Sequence, residues 1–207
     1  MDCTESIKSL GGFLPVTVAA ALVLFLVREI LEFRRRKAER ARKTTAIKLL
    51  LAEELEKNHW VLVSMFRVLN KIKTASDEHP RATFRLHVTR DGSEYFRMKR
   101  EPGDEHELRN WIPKFHTVLY EKLLPSLAEL DSALFESIST TYSKIAELSH
   151  YRETMTSFLA GEVLSPTPEM TRRFLSHFAD KKDDYYAALN NGYKILTDTD
   201  LKEWKLR

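Results

Sequence analysis

The sequence predicts a mainly α protein: an N-terminal transmembrane helix followed by an antiparallel helical bundle with one inserted β-hairpin at about 84–99. Three observations carry that class. Residues 11–27 form a 17-residue run of apolar and small side chains inside an uncharged stretch bounded by Lys8 and Arg28. Apolar positions recur at helical steps through most of the chain beyond it. One short stretch, 84–98, instead alternates apolar and polar residues on either side of Asp91-Gly92, the composition of a hairpin turn.

Taken in order, the apolar run is at the short end of the ~17 to 25 residues that span hydrocarbon, and Ile30, Leu31 and Phe33 extend it, with Arg28 able to snorkel. No basic n-region and no small-x-small cleavage site mark it as an export signal. Residues 28–43 hold eight Lys and Arg against three acids, so the positive-inside rule keeps this flank in the cytoplasm and puts residues 1–10 outside. The expected organisation is an extracytoplasmic 1–10, an inner-membrane anchor at 11–33, a basic stalk at 34–44, a cytoplasmic bundle at 45–197 and a tail at 198–207. In the stalk, Arg34, Arg35, Arg36, Lys37 and Arg40 are the expected contacts to anionic headgroups, each worth ~1 kcal/mol near such a surface. Residues 44–207 carry 24 Lys and Arg against 25 Asp and Glu, so the formal charge of +3 belongs to the N-terminal part. The single cysteine, Cys3, leaves no intrachain disulfide.

From Thr45 to Lys73, Ile47, Leu51, Leu55, Leu62, Met65, Leu69 and Ile72 form one helical stripe, and Glu54 and Asn58 fall on it. Two polar groups at i and i+4 on a core face need partners, and a register device between helices, with Tyr142 or Tyr185 as partner, meets that need. In the hairpin, Val88 is expected opposite Phe96 and Leu86 opposite Met98. A helix is expected from about Pro113, broken at Pro125, with Ser126 and Glu129 capping a long second helix through Ile138, Tyr142, Ile145, Leu148 and Leu159. Pro168 is expected to open the last helix, through Phe178, Tyr185, Leu189 and Leu196.

Chemistry is sparse. Glu56 with His59 and Glu147 with His150 have the Glu-x-x-His spacing of di-metal bundles, but on the wheel Glu56, Glu147 and His150 point away from the core stripes, so no metal and no cofactor is expected. The hairpin is basic, with Arg85, Arg97 and Lys99 beside Tyr95, a pattern open to nucleic acid. Trp60 lies opposite the core stripe, where a tryptophan must be covered by another helix or by a partner, and it is the candidate interaction residue. No nucleophile elbow, phosphate loop, dinucleotide fingerprint or HExxH is present, which argues against an enzyme and points to no small-molecule substrate.

The segments LLAEELEKNHWVL (50–62) and LAELDSALFESISTTYSKIAEL (127–148) together resemble a broad group of uncharacterised bacterial single-pass membrane-anchored helical-bundle proteins. In that group a Glu-x-x-x-Asn helix follows the anchor, matched by Glu54 and Asn58, and a later helix carries Leu-x-x-x-Tyr-x-x-Ile, matched by Ile138, Tyr142 and Ile145. The likeness covers about half the chain and implies a fold and a topology, with no activity. The functional expectation is a membrane-tethered, non-enzymatic interaction, scaffold or sensor protein presenting its bundle to a protein partner or to itself; the alternative is a nucleic-acid module built on the hairpin, or, more remotely, an enzyme or di-metal bundle whose site carries no known motif.

Overall fold

The computed structural model describes residues 16–79, 82–100, 108–160, 173–174, 176–178 and 180–202. The chain divides into two compact units, residues 1–46 and 47–207. Helix α1, Val16–Glu78, belongs to both. Expectations for residues 1–15 and for the start of the last helix at Pro168 lie outside the described residues.

In the first unit, α1 leaves Val18, Leu22 to Val27, Ile30, Leu31 and Phe33 exposed. The membrane expectation is corrected here: among the described residues no helix is long and apolar enough to cross a membrane. The physical reason is the early return of charge. The apolar run from Val16 to Val27 rises only about 18 Å, against the ~30 Å of hydrocarbon, and Arg28, Glu29 and Glu32 come next on the same helix. The single-pass topology and the inner-membrane placement fall with it. Residues 34–44 are helical within α1, where Arg36 pairs with Glu32 at 3.1 Å and Lys43 with Glu39 at 3.0 Å.

In the second unit, the α1 stripe from Ile47 to Ile72 is buried, and Ala52, Val61, Phe66, Val68 and Ala75 widen it to most of the helix circumference. Strands β1 (Thr83–Val88), β2 (Glu94–Lys99) and β3 (Leu108–Trp111) form an antiparallel sheet in that order. The hairpin register differs from expectation by two residues: Phe84 pairs with Met98, Leu86 with Phe96 and Val88 with Glu94. The turn explains it. Thr89 N–H donates to Ser93 O at 2.9 Å and Gly92, at φ 78°, donates to Thr89 O at 3.0 Å, so residues 89–93 are spent in the turn and Val88 is left exposed. Strand β3 was not anticipated; it pairs Tyr95 with Trp111 and Arg97 with Arg109.

Residues 112–117 form neither helix nor strand, so the helix expected from Pro113 starts later, as α2 (Val118–Leu130). Pro125 lies inside α2, on its exposed side, and does not end it. The break comes at Asp131, whose Oδ1 accepts Leu134 N–H at 2.9 Å and caps α3 (Ser132–Ala160) in place of the Ser126 and Glu129 box. Helix α4 (Lys182–Thr197) lies along α3, and the expected free tail folds back, with Leu201 N–H donating to Asn190 Oδ1 at 2.7 Å.

Where α4 meets α3, Gly192 is buried against Thr141. A Cβ built on Gly192 would stand 2.6 Å from Thr141 Oγ1 and 2.7 Å from its Cγ2. Gly192→Ala gains about 1 kcal/mol of helix propensity and loses about 1–3 kcal/mol to overpacking, so a net loss of stability is expected. Urea unfolding checks this, and the loss shrinks in a Thr141→Ala background, where the two nearest atoms are gone.

Candidate functional site

Two buried polar clasps hold the irregular segment 112–117, and through it the sheet, against the helices. In the first, Glu54, 2% exposed on α1, accepts from Leu119 N–H at 2.8 Å, Tyr120 N–H at 3.0 Å and Tyr142 O–H at 2.7 Å. Its carboxylate thus fills the first turn of α2, where orphan amides and the helix dipole both favour an anion. Asn58, one turn on, accepts from His116 N–H and donates to His116 O, both at 2.7 Å. Tyr142 is stacked on Tyr120 at 3.9 Å, and burial together with its bond to Glu54 pushes its hydroxyl well above the usual tyrosine range. The partner Tyr142 was expected; the backbone of 116–120 was not, and it takes four of the five bonds.

In the second clasp, Arg152 of α3 is 7% exposed and donates from Nε to Pro113 O at 2.7 Å and from its terminal nitrogen to Glu94. Lys114 completes the group at 2.9 Å from Glu94. Burial pushes the Glu94 carboxyl up, but the hydrogen bonds and charges of Lys114 and Arg152 outweigh it and hold the group below the ordinary range.

With the sheet so fixed, its inner face closes a cavity of about 570 Å³ against α1 and the start of α4. Phe66, Phe96 and Met98 supply an apolar floor, and among the described residues Arg67, Lys71, Arg100 and Lys182 stand around it with Glu78. Lys71 donates to Asn110 Oδ1 of β3 at 2.5 Å. Lys182 lies 5.9 Å from the Phe66 ring centre and 5.7 Å from that of Tyr186, within cation–π reach of both. Among the described residues, none of these four cations has a carboxylate at ion-pair distance. None was singled out by sequence reasoning. Arg67, Lys71, Thr74 and Glu78 form a polar line down α1 that could have been seen, but nothing local tells that Arg100 and Lys182 face it.

The other expected residues lie elsewhere. Trp60 is half-buried, its ring 5.2 Å from that of Trp111, so its cover comes from β3 of the same chain. Arg85 and Lys99 are exposed on the outer sheet face, and Arg97 is half-buried there with a partner of its own. Arg85, Arg97 and Arg109 form one cross-strand row, and His87, Tyr95 and Trp111 the next. The two Glu-x-x-His units do not converge. Glu56 accepts from Tyr193 O–H at 2.6 Å. His59 is buried, its pKa pressed down by burial, edge-on to Tyr186 at 5.2 Å, whereas its counterpart His150 on α3 is exposed. Glu147 pairs with Lys144 at 3.0 Å and Lys181 at 3.2 Å.

No protein-family model, curated protein or solved structure matches the chain.

Glu54→Gln keeps the shape but turns one acceptor into a donor that faces N–H and O–H groups. A loss of about 2–3 kcal/mol is expected, and about 1 kcal/mol for Tyr142→Phe, which leaves both backbone bonds to Glu54 in place; denaturant midpoints check both. The bond from Lys144, with help from Lys181, takes the Glu147 carboxyl from its ordinary 4.5 down to about 2. A lowered folded-state pKa means stability that is full above 4.5 and drains as pH falls toward 2. Glu147→Gln should flatten that part of the curve of melting temperature against pH while lowering its plateau.

Proposed function

We propose that the unit beginning at Ile47 is a non-enzymatic binding and sensing module, and that its ligand enters the cavity between α1, the sheet and α4. One observation carries this: a pocket of about 570 Å³ whose floor is apolar and whose rim is cationic. That volume lies within the ~300–1,000 Å³ of small-molecule sites, which combine apolar walls with a few placed polar groups. Two of the buried ionisable groups are committed elsewhere. Glu54 and Arg152 are engaged in holding the fold, at a distance in sequence from the cavity lining. A sensing role follows from who lines the cavity, since Phe66 on α1, Phe96 on β2 and Lys182 on α4 would all meet one occupant. A scaffold or partner-binding role would then act through a ligand-stabilised arrangement of those three elements.

The nucleic-acid reading has one specific observation in its favour, the row of Arg85, Arg97 and Arg109 beside an aromatic row. It is the weaker of the two. Arg97 and Arg109 already have partners, and Trp111, 42% exposed, packs its ring against Trp60.

The test is amide chemical-shift mapping of the full chain with 8-anilinonaphthalene-1-sulfonate, an apolar anion. Shifts concentrated at Val63–Glu78, Phe96–Arg100 and Lys182–Tyr186 are expected. Saturating probe that moves none of these amides overturns the assignment.

A further inference from the structure

We infer that His59 is a proton-sensitive latch between α1 and α4, which holds while its ring is neutral and releases α4 when mild acid charges it. The seam between the two helices sets this up. Tyr193 meets Glu56, Tyr186 meets His59 and Lys182 meets Phe66, so α4 runs antiparallel to α1 along one of its faces. His59 stands within that line, 8% exposed, with its ring 5.2 Å from that of Tyr186 and inclined to it at 79°. Its Nδ1 is buried and has no hydrogen-bond partner.

A neutral imidazole packs there as an aromatic ring does, whereas imidazolium carries an N–H on both nitrogens and needs acceptors for both. The seam supplies none for Nδ1. Within one turn of the contact, α1 carries Glu56 and Lys57, and α4 carries Lys182, Asp183, Asp184 and Tyr185. Glu56 accepts from Tyr193 O–H at 2.6 Å, and Lys57 is paired with Glu53 at 2.7 Å. Asp183 and Asp184 are exposed, and the Tyr185 ring lies 5.9 Å from Lys144 of α3. Lys182 stands 5.7 Å from the Tyr186 ring centre, so a charged His59 would set a second cation beside the same ring. Burial presses the His59 pKa below its ordinary 6.5, and no nearby charge offsets it. A lowered folded-state pKa means that the seam is fully stabilised above 6.5 and loses that contribution as pH falls below it.

Helix α4 is the element that yields. The two clasps tie α1, α2, α3 and the sheet together, and neither includes a residue of α4. A helix of 16 residues is marginal on its own. The latch needs no cavity occupant, but Lys182 and Tyr186 also line the cavity, so the same proton would loosen that wall.

Native-state hydrogen exchange of the full chain at pH 7.5 and 5.5 tests the latch, with rates compared as protection factors to remove the pH dependence of the chemical step. Protection of the α4 amides from Tyr186 to Leu196 is expected to fall at pH 5.5 by up to about tenfold, the limit for one proton acting one unit below an ordinary pKa. Protection in α3 is expected to hold. His59→Phe keeps an aromatic ring against Tyr186 and should make α4 protection equal at the two pH values, whereas His177→Gln, at an exposed histidine ahead of α4, should leave the fall in place. Equal α4 protection in the unmodified chain, a fall that survives His59→Phe or vanishes in His177→Gln, or an equal fall throughout α3 overturns the latch. A second measurement needs no variant: an NMR titration of the His59 ring that gives a pKa of 6.5 or above overturns it as well.

Discussion

The fold of the second unit depends on where one carboxylate is satisfied. Glu54 sits on the most buried helix of the unit, and an acceptor at that depth without donors would cost several kcal/mol. The chain meets the demand by bringing the start of another helix to it. Leu119 and Tyr120 donate to Glu54, and Asn58 and Arg152 hold the preceding residues through His116 and Pro113. Ile112 N–H then donates to Glu94 O at 2.8 Å, continuing the β2–β3 pairing beyond Trp111. The position of the sheet, and with it the far wall of the cavity, is set by this chain of bonds.

The two clasps divide the polar residues into two kinds. Those at the junction of α1, α3 and segment 112–117 are matched bond for bond and act as mechanical parts. Those around the cavity are, among the described residues, cations gathered beside aromatic rings with Glu78. Like charges near one another destabilise a surface unless something opposes them.

Much of the helical architecture was legible in the sequence, because α1 and α3 bury stripes at the steps their apolar residues mark. The need of Glu54 and Asn58 for partners was equally plain from their place on such a stripe. What could not be read was identity at a distance. Asn58 and Glu54 bond to backbone some sixty residues away, and backbone groups carry no sequence label. Strand β3 is only four residues long and shows no alternation against a turn of its own. The hairpin register went wrong because side-chain bonds of Thr89 and Asp91 enlarge the turn, an effect that apolar matching does not see. The apolar N-terminal run misled in another way: its apparent length draws on residues outside the described structure and past Arg28, while the described helix meets charge after about 18 Å. The cavity was invisible because its rim is drawn from separate stretches of chain.

The irregular entry to α2 has a consequence for how the protein folds. Thr117 contributes no side-chain cap, so the first turn of α2 is capped by Glu54 across a loop of 65 residues. Isolated helices of 13 residues are marginal in water even with good propensity. Helix α2 is therefore conditional: its start is written on α1, and it gains that cap only after the intervening hairpin and strand are docked. Long-range closure of this kind slows the search but couples its parts, so α1, the sheet and α2 are expected to appear and disappear together as one cooperative block.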